Sequence, residues 1–216
     1  MPPLLTHLRL ISYESDSKEV IFMTKSKTNI QKLTLGAILT ALVILLQMMG
    51  SFIRFGPFSV SLVLVPIVIG AATCGPYIGA WLGFVFGVAV LMSGDAAAFL
   101  AISVGGTILT VLLKGTLCGL FAGLTYRWIS KRNETVGVFA AAFVCPIVNT
   151  GVFLLGCLVF FIDTVAQWAV GMGFGDTVAA YMFLGLAGGN FLFELGANLL
   201  LSPVVVKLLR VAQKLH

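Results

Sequence analysis

The stretch Leu33–Gly50, LTLGAILTALVILLQMMG, decides the class of fold to which this chain belongs. Its 18 residues include no charged side chain. As an α-helix the stretch would be about 27 Å long, close to the thickness of the hydrocarbon core of a bilayer. Lys25, Lys27 and Lys32 precede it. We therefore predict that Leu33–Gly50 is the first membrane-spanning helix.

The composition of the whole chain agrees with that prediction. Of its 216 residues 59% are hydrophobic and 10% are charged, and the mean hydropathy is +1.09. Soluble domains contain about 45–50% apolar and about 25% charged residues. So few charges could not cover so much apolar surface in water. The chain is predicted to be an integral membrane protein without a separate soluble domain.

The first 22 residues differ from the rest, since they carry five charges and only a short apolar run. The run Pro2–Tyr13 is too short to span a bilayer, and no small-residue cleavage site follows it. We hypothesise that Met23 is the biological start. The predicted organisation is therefore an N-terminal extension, residues 1–22, followed by a single six-helix transmembrane substrate-binding domain, residues 23–216.

Five further apolar stretches follow the first span. The 40 residues between Arg54 and Asp95 carry no charge, and Gly75-Pro76 divides them into two helices because this pair breaks a helix. The predicted fold is an all-α integral membrane protein of six transmembrane helices. The later spans are expected at about Phe58–Ala72, Pro76–Met92, Ser103–Tyr126, Thr135–Ile162 and Tyr181–Val206.

The positions of Lys and Arg predict the orientation. With six spans, nine basic residues near span ends lie on one side, and Arg54 alone lies on the other. The positive-inside rule then places both termini in the cytoplasm, and segments 51–57, 93–102 and 163–180 outside the cell membrane. The net charge of +5 therefore reflects topology, and nucleic acid is not an expected partner. The nine are Lys25, Lys27, Lys32, Arg127, Lys131, Arg132, Lys207, Arg210 and Lys214.

Small residues recur every four positions on several predicted helices. Ala37 and Ala41 share one face of the first span, which another helix could approach closely, either within this protein or from a partner. The third and fourth spans carry similar runs, each of which allows helix packing at backbone distance. The runs are Gly75, Gly79, Gly83 and Gly87, then Gly115, Gly119 and Gly123.

The sequence contains no catalytic motif and no metal-ligand spacing. Its two histidines, His7 and His216, lie at the termini, and its four cysteines show no CxxC spacing, so we expect buried free thiols. A phosphate-binding loop, an HExxH motif and a GxSxG motif are all absent. We predict a protein that is not an enzyme and has no metal or cofactor. Any ATP hydrolysis must come from another chain.

Three polar residues are predicted near the middle of the membrane. Lys114 and Glu194 each precede a cytoplasmic basic residue by 13 positions in spans of the same direction, and Asn149 is also central. An unpaired charge there costs about 2.5–3.5 kcal/mol even on a lenient scale. Either the two charges form a buried ion pair that fixes helix packing, or they line the floor of a polar cavity together with Asn149, Asn190 and Asn198.

These features together resemble the S component of an energy-coupling factor (ECF) vitamin transporter. The resemblance covers about Thr24–Leu215 and rests on the small size, six spans and the Ala37-xxx-Ala41 pattern. It also rests on LVLVPIVIGAATCGPYIGAWLGFVFG at Leu62–Gly87 and on LKGTLCG at Leu113–Gly119. The resemblance implies high-affinity capture of a vitamin from outside, and docking onto a transmembrane T component that carries two ATPase subunits.

The resemblance also implies roles for particular residues. Ala37 and Ala41 would dock onto the T component, and the outer loops with the outer ends of spans four to six would form the site. The candidate site residues are Arg54, Asp95, Lys114, Asn149, Gln167, Trp168, Asn190 and Glu194. Arg54 either holds an anionic group of the ligand or faces lipid headgroups.

Alternatives remain for the ligand and for the class of function. Within this family the chain is most similar to the pantothenate carriers. Pantothenate has one carboxylate, one amide and two hydroxyls, which would suit Arg54 with Asn190 and Gln167 as donors. Riboflavin and folate carriers share the general pattern, and the aromatic residues could stack on their rings. A stand-alone secondary transporter of a small polar solute is the alternative function, although the two halves of the chain show no repeat.

Overall fold

The structure of the chain is a computed structural model that describes residues 30–50, 54–55, 58–59 and 62–214. The chain divides into two units, Met1–Leu35 and Gly36–His216. Residues 1–22, the predicted N-terminal extension, lie outside the described residues. The described helices and strands are α1 (Ile30–Gly50), β1 (Arg54–Phe55), β2 (Phe58–Ser59), α2 (Leu64–Cys74), α3 (Pro76–Ser93), α4 (Ala97–Leu100), α5 (Val104–Ile129), α6 (Glu134–Phe160), α7 (Ile162–Gly171), α8 (Val178–Ala180), a π-helical segment (Tyr181–Gly188) and α9 (Gly189–Lys214).

Five described helices are long and apolar enough to cross a membrane. They are Ile30–Gly50, Pro76–Ser93, Val104–Ile129, Glu134–Phe160 and Val178–Arg210, and they contain 18 to 33 residues each. They correspond to the first, third, fourth, fifth and sixth predicted spans, with ends that differ by a few residues. The protein is therefore a largely helical, multi-pass membrane protein.

The second predicted span, Phe58–Ala72, differs from the structure. Phe58 and Ser59 form β2, which pairs antiparallel with β1, and the helix starts only at Leu64. The position of Pro66 explains this start, because a proline fits the first turn of a helix and breaks a helix interior. Helix α2 therefore has 11 residues and is about 16 Å long, too short to cross a bilayer alone.

Two segments predicted as outer loops contain helices. Segment 93–102 includes α4, and segment 163–180 includes most of α7. Helix α7 forms because Val165 and Ala169, four residues apart, are both fully buried on one of its faces. These short helices pack over the ends of the long ones, where they cover the site described below.

Backbone contact between α3 and α5 holds the centre of the bundle together. A Cβ added at Gly83 would collide with the carbonyl oxygen of Gly115, and one added at Gly115 would collide with that of Gly83. Gly79 and Gly119 stand in the same reciprocal relation one turn away. The prediction that the glycine runs allow packing at backbone distance is confirmed, and the two runs pack against each other.

Apolar clusters occupy opposite ends of α6 and α9. One cluster joins Phe99 and the end of α6 to α7 and the π-helical segment, through Phe161, Val165 and Leu186. The other joins Ala72 of α2 and Val138 of α6 to the later part of α9. The polar residues of the cavity lie between these two clusters, so the clusters fix the helices that carry them.

The glycine contact leads to a stability prediction. Gly83→Val should lower the melting temperature of the detergent-purified protein, because overpacking a tight interface costs about 1–3 kcal/mol or more. Gly105→Ala is the control in α5, since a Cβ there meets nothing within 4 Å. The control should melt at or slightly above the wild-type temperature. Wild-type stability of Gly83→Val would contradict the backbone contact.

Candidate functional site

A polar cavity of about 80 Å³ lies among α3, α5, α6 and α9. Its walls come from all four helices, from the end of α1 and from the segment that joins α3 to α5. The lining residues are Gln47, Phe86, Val90, Asp95, Ala96, Phe99, Val111, Lys114, Asn149, Thr150, Phe153, Leu186, Ala187, Asn190 and Glu194. We call this cavity the inner chamber.

Lys114 supplies the positive charge of the inner chamber. Its ammonium Nζ lies 5.6 Å from the ring centroid of Phe86 and 5.3 Å from that of Phe153. Each ring face attracts the cation, and the attraction is largest where water is excluded. The strongest electrostatic attraction of Lys114 to a carboxylate is to Glu194. Within the described part of the chain, this attraction acts without a direct salt bridge between the two side chains.

Glu194 is held by two asparagine amides. Asn190 Nδ2, one turn earlier on α9, donates to Glu194 Oε1 over 3.1 Å, and Asn149 Nδ2 of α6 donates to Oε2 over 3.4 Å. Glu194 and Asn149 are 3% and 4% exposed. The amide oxygens of Asn149 and Asn190 are buried and accept no hydrogen bond from the described residues. The inner chamber therefore contains acceptors that a bound molecule could satisfy.

Gln47 connects α1 to the site. Its Nε2 donates to Asp95 Oδ2 over 2.6 Å, and the hydroxyl of Ser93 also donates to Asp95 Oδ2, over 3.1 Å. Gln47 is 1% exposed, although it belongs to the span from which the fold class was predicted. The sequence analysis missed it as a site residue. The available signal was that Gln47 is a large polar side chain in a stretch that is otherwise apolar or small.

A second, mainly apolar cavity of about 400 Å³ lies beside the inner chamber. Residues Asp95, Phe99 and Leu186 line both cavities. Phe99 packs edge-on against Phe153 on one side and against Trp168 on the other. We call this cavity the outer chamber; its lining is Asp95, Ala98, Phe99, Gln167, Trp168, Gly171, Met172, Tyr181 and Leu186.

The structure places seven of the eight predicted site residues around these two chambers. Asp95, Lys114, Asn149, Asn190 and Glu194 line the inner chamber, and Asp95, Gln167 and Trp168 line the outer one. Arg54 belongs to β1, but its side chain lies outside the described part of the chain. Phe86, Thr150 and Phe153 were missed, because aromatic and small polar residues in a membrane helix give no signal of a site.

The two predicted docking residues lie away from both chambers. Ala37 and Ala41 are exposed on α1, whereas Leu39, Val43 and Gln47 on the same helix are buried. Within the described part of the chain, no other helix covers the face with the alanines. The exposed neighbours on this helix include Ile38 and Leu45.

A comparison with protein families shows a match over most of the chain. The family model described as ECF transporter, substrate-specific component, matches residues 31–206. This range includes every residue that lines the two chambers. No curated protein matches the chain.

The electrostatic relation of Lys114 and Glu194 can be tested by a double-mutant cycle. Lys114→Met should lower the stability of the purified protein, because the buried carboxyl group of Glu194 then loses its attraction to the neighbouring cation. Lys114→Met with Glu194→Gln should recover part of that loss, since both charges are then absent. Thermal unfolding of the four proteins measures the cycle. Strictly additive effects would mean that the two charges do not interact.

Proposed function

Because the chain belongs to the family of ECF transporter substrate-specific components, we propose that it is the high-affinity vitamin-binding S component of an ECF-type ABC transporter. Members of this family are transport proteins, so the chain is not an enzyme. The observation that carries the proposal is the inner chamber. An ammonium, two carboxylates and three amides line this one cavity, and polar groups inside a membrane are costly and mark functional sites.

We propose that the two chambers open to the outside and that both termini are cytoplasmic. The outer chamber lies at the ends of the long helices opposite Arg127, Lys131 and Arg132, and the positive-inside rule puts these residues in the cytoplasm. Helix α2, together with the β1–β2 hairpin before it, then returns the chain to the cytoplasmic side as the second of six crossings. The contact of Ala72 with the cluster around Val138 and Leu209 supports this course.

Pantothenate is our first candidate for the ligand, with riboflavin and folate next. Lys114 offers a cation for its carboxylate, and the amide oxygens of Asn149 and Asn190 can accept hydrogen bonds from its hydroxyls. Asn190 can also act as the donor expected from the sequence, because its Nδ2 carries two N–H groups and donates one hydrogen bond to Glu194. The aromatic outer chamber could also stack on the rings of riboflavin or folate.

We propose that the vitamin is delivered through a T component driven by two ATPase subunits, which bind the ATP. Ala37 and Ala41 would form the contact with the T component. Their exposure on α1 supports this role, because a small-residue face lets a second helix approach closely in a membrane. The chain itself needs no cofactor, since the vitamin is cargo.

The ligand proposal is tested by titration of the purified protein with pantothenate, riboflavin, folate and thiamine, after native mass spectrometry of the fresh preparation. Pantothenate should bind tightest. If Arg54 and Lys114 each hold the carboxylate of pantothenate, Arg54→Gln and Lys114→Met should each weaken pantothenate binding about tenfold or more. The reason is that a hydrogen bond to a charged group contributes about 1.5–3 kcal/mol. Tightest binding of another vitamin would refute pantothenate, and an unchanged affinity would refute the role of that side chain.

The docking proposal is tested with Ala41→Trp. Ligand binding by the isolated protein should persist, while ATP-driven uptake by the complex and recovery of T component and ATPases in purification should fall strongly. The control is Phe143→Trp, which changes an exposed residue of α6 that is not on the proposed docking face. Uptake unaffected by Ala41→Trp would contradict the docking face. Vitamin uptake by the chain alone would favour a secondary transporter.

A further inference from the structure

Glu194 determines the orientation of two amide side chains whose residues line the inner chamber. It accepts one hydrogen bond at each of its carboxylate oxygens, from Asn190 Nδ2 at 3.1 Å and from Asn149 Nδ2 at 3.4 Å. Asn149 and Glu194 are almost fully buried, and all three side chains line the cavity. The two asparagines come from different helices, so their shared orientation follows from their common partner.

An ionised carboxylate can only accept hydrogen bonds, and an amide has one donor end and one acceptor end. Each amide must therefore turn its nitrogen to Glu194. In the structure both amides do so, since each Nδ2 donates to a different oxygen of this carboxylate. As a consequence Asn149 Oδ1 and Asn190 Oδ1 point elsewhere, and both are buried without a partner among the described residues. A buried acceptor of this kind requires a donor from a bound molecule or from water.

We propose that Glu194 is a positioning residue that sets the hydrogen-bond polarity of the site, so that the ligand must present two hydroxyl or N–H donors to Asn149 and Asn190. This inference rests on the proposed function and deepens it. It names the chemical class of ligand as a molecule with two donor groups close together and an acceptor or anionic group within reach of Lys114.

Methylation of a donor group on the ligand provides the first test. Whichever of pantothenate, riboflavin, folate and thiamine binds the wild-type protein is compared with analogues in which single hydroxyl or N–H groups are methylated. The analogue that loses the donor facing an amide oxygen should bind about tenfold to 100-fold more weakly, because a buried acceptor is left without a partner. The measured quantity is the ratio of the two dissociation constants.

In the Glu194→Gln protein, the ratio of the dissociation constants of the methylated analogue and the parent ligand should be about tenfold smaller than in the wild type. The Gln amide can donate to one asparagine, which can then rotate and present its nitrogen to the cavity. Asn198→Ala is the matched control, because Asn198 is buried one turn further along α9 and does not line either chamber. A purely structural effect would weaken parent and analogue equally and leave the ratio unchanged. An unchanged ratio in a Glu194→Gln protein that still binds the parent would overturn the proposal.

A second measurement needs no ligand. Asn190→Asp should lower the melting temperature, because two carboxylates then face each other. Asn190→Asp with Glu194→Gln should restore most of the loss, since a donor and an acceptor have exchanged places. If the double variant melts no higher than Asn190→Asp, the assigned amide orientation is wrong. If none of the four vitamins binds, the ligand proposal fails, while this stability comparison still decides the orientation.

Discussion

The charge of Lys114 inside the bundle is the constraint on which much of the site depends. Burying an unpaired ammonium at membrane depth costs free energy, so the surrounding residues must stabilise it. The glycine contact contributes directly, because Gly115 follows Lys114 and packs against Gly83 and Gly87 of α3. Phe86, the residue before Gly87, is thereby placed with its ring against the ammonium. Close backbone packing and charge stabilisation are thus two consequences of one helix pair.

Features were predicted correctly from the sequence where a pattern repeats along one helix, or where burying a charged residue in the membrane costs free energy. The five long helices follow from apolar stretches of sufficient length with few charges, and packing at backbone distance follows from glycines four residues apart. The common depth of Lys114 and Glu194 follows from their equal distance to cytoplasmic basic residues, and the structure places both in one cavity. Each of these inferences needed only the spacing of residues within a single span.

The features that were missed depend on which helices become neighbours. Helix α2 and the hairpin before it replaced a longer predicted span, because apolar content alone does not specify where a helix begins. Gln47 became a site residue only through its contact with Asp95, which is 48 positions away in the sequence. By residue type alone, Phe86 and Phe153 cannot be distinguished from the aromatic residues on the exposed surface. No single-span pattern distinguishes them, since their role is created by Lys114 between them.

Under the proposed function, the arrangement of the two chambers explains how a membrane helix bundle can retain a polar molecule. The outer chamber is mainly apolar and aromatic, so a ligand that enters it exchanges water for ring faces and a methionine. Beyond Phe99 and Leu186, the ammonium and the two amide oxygens replace the hydrogen bonds that the polar groups of the ligand made with water. Because those groups are already fixed by Glu194 and by two phenylalanine rings, little conformational freedom is lost when they bind. Affinity then depends on matching donors to acceptors, and a molecule that cannot make this match is rejected by the cost of burying unsatisfied polar atoms.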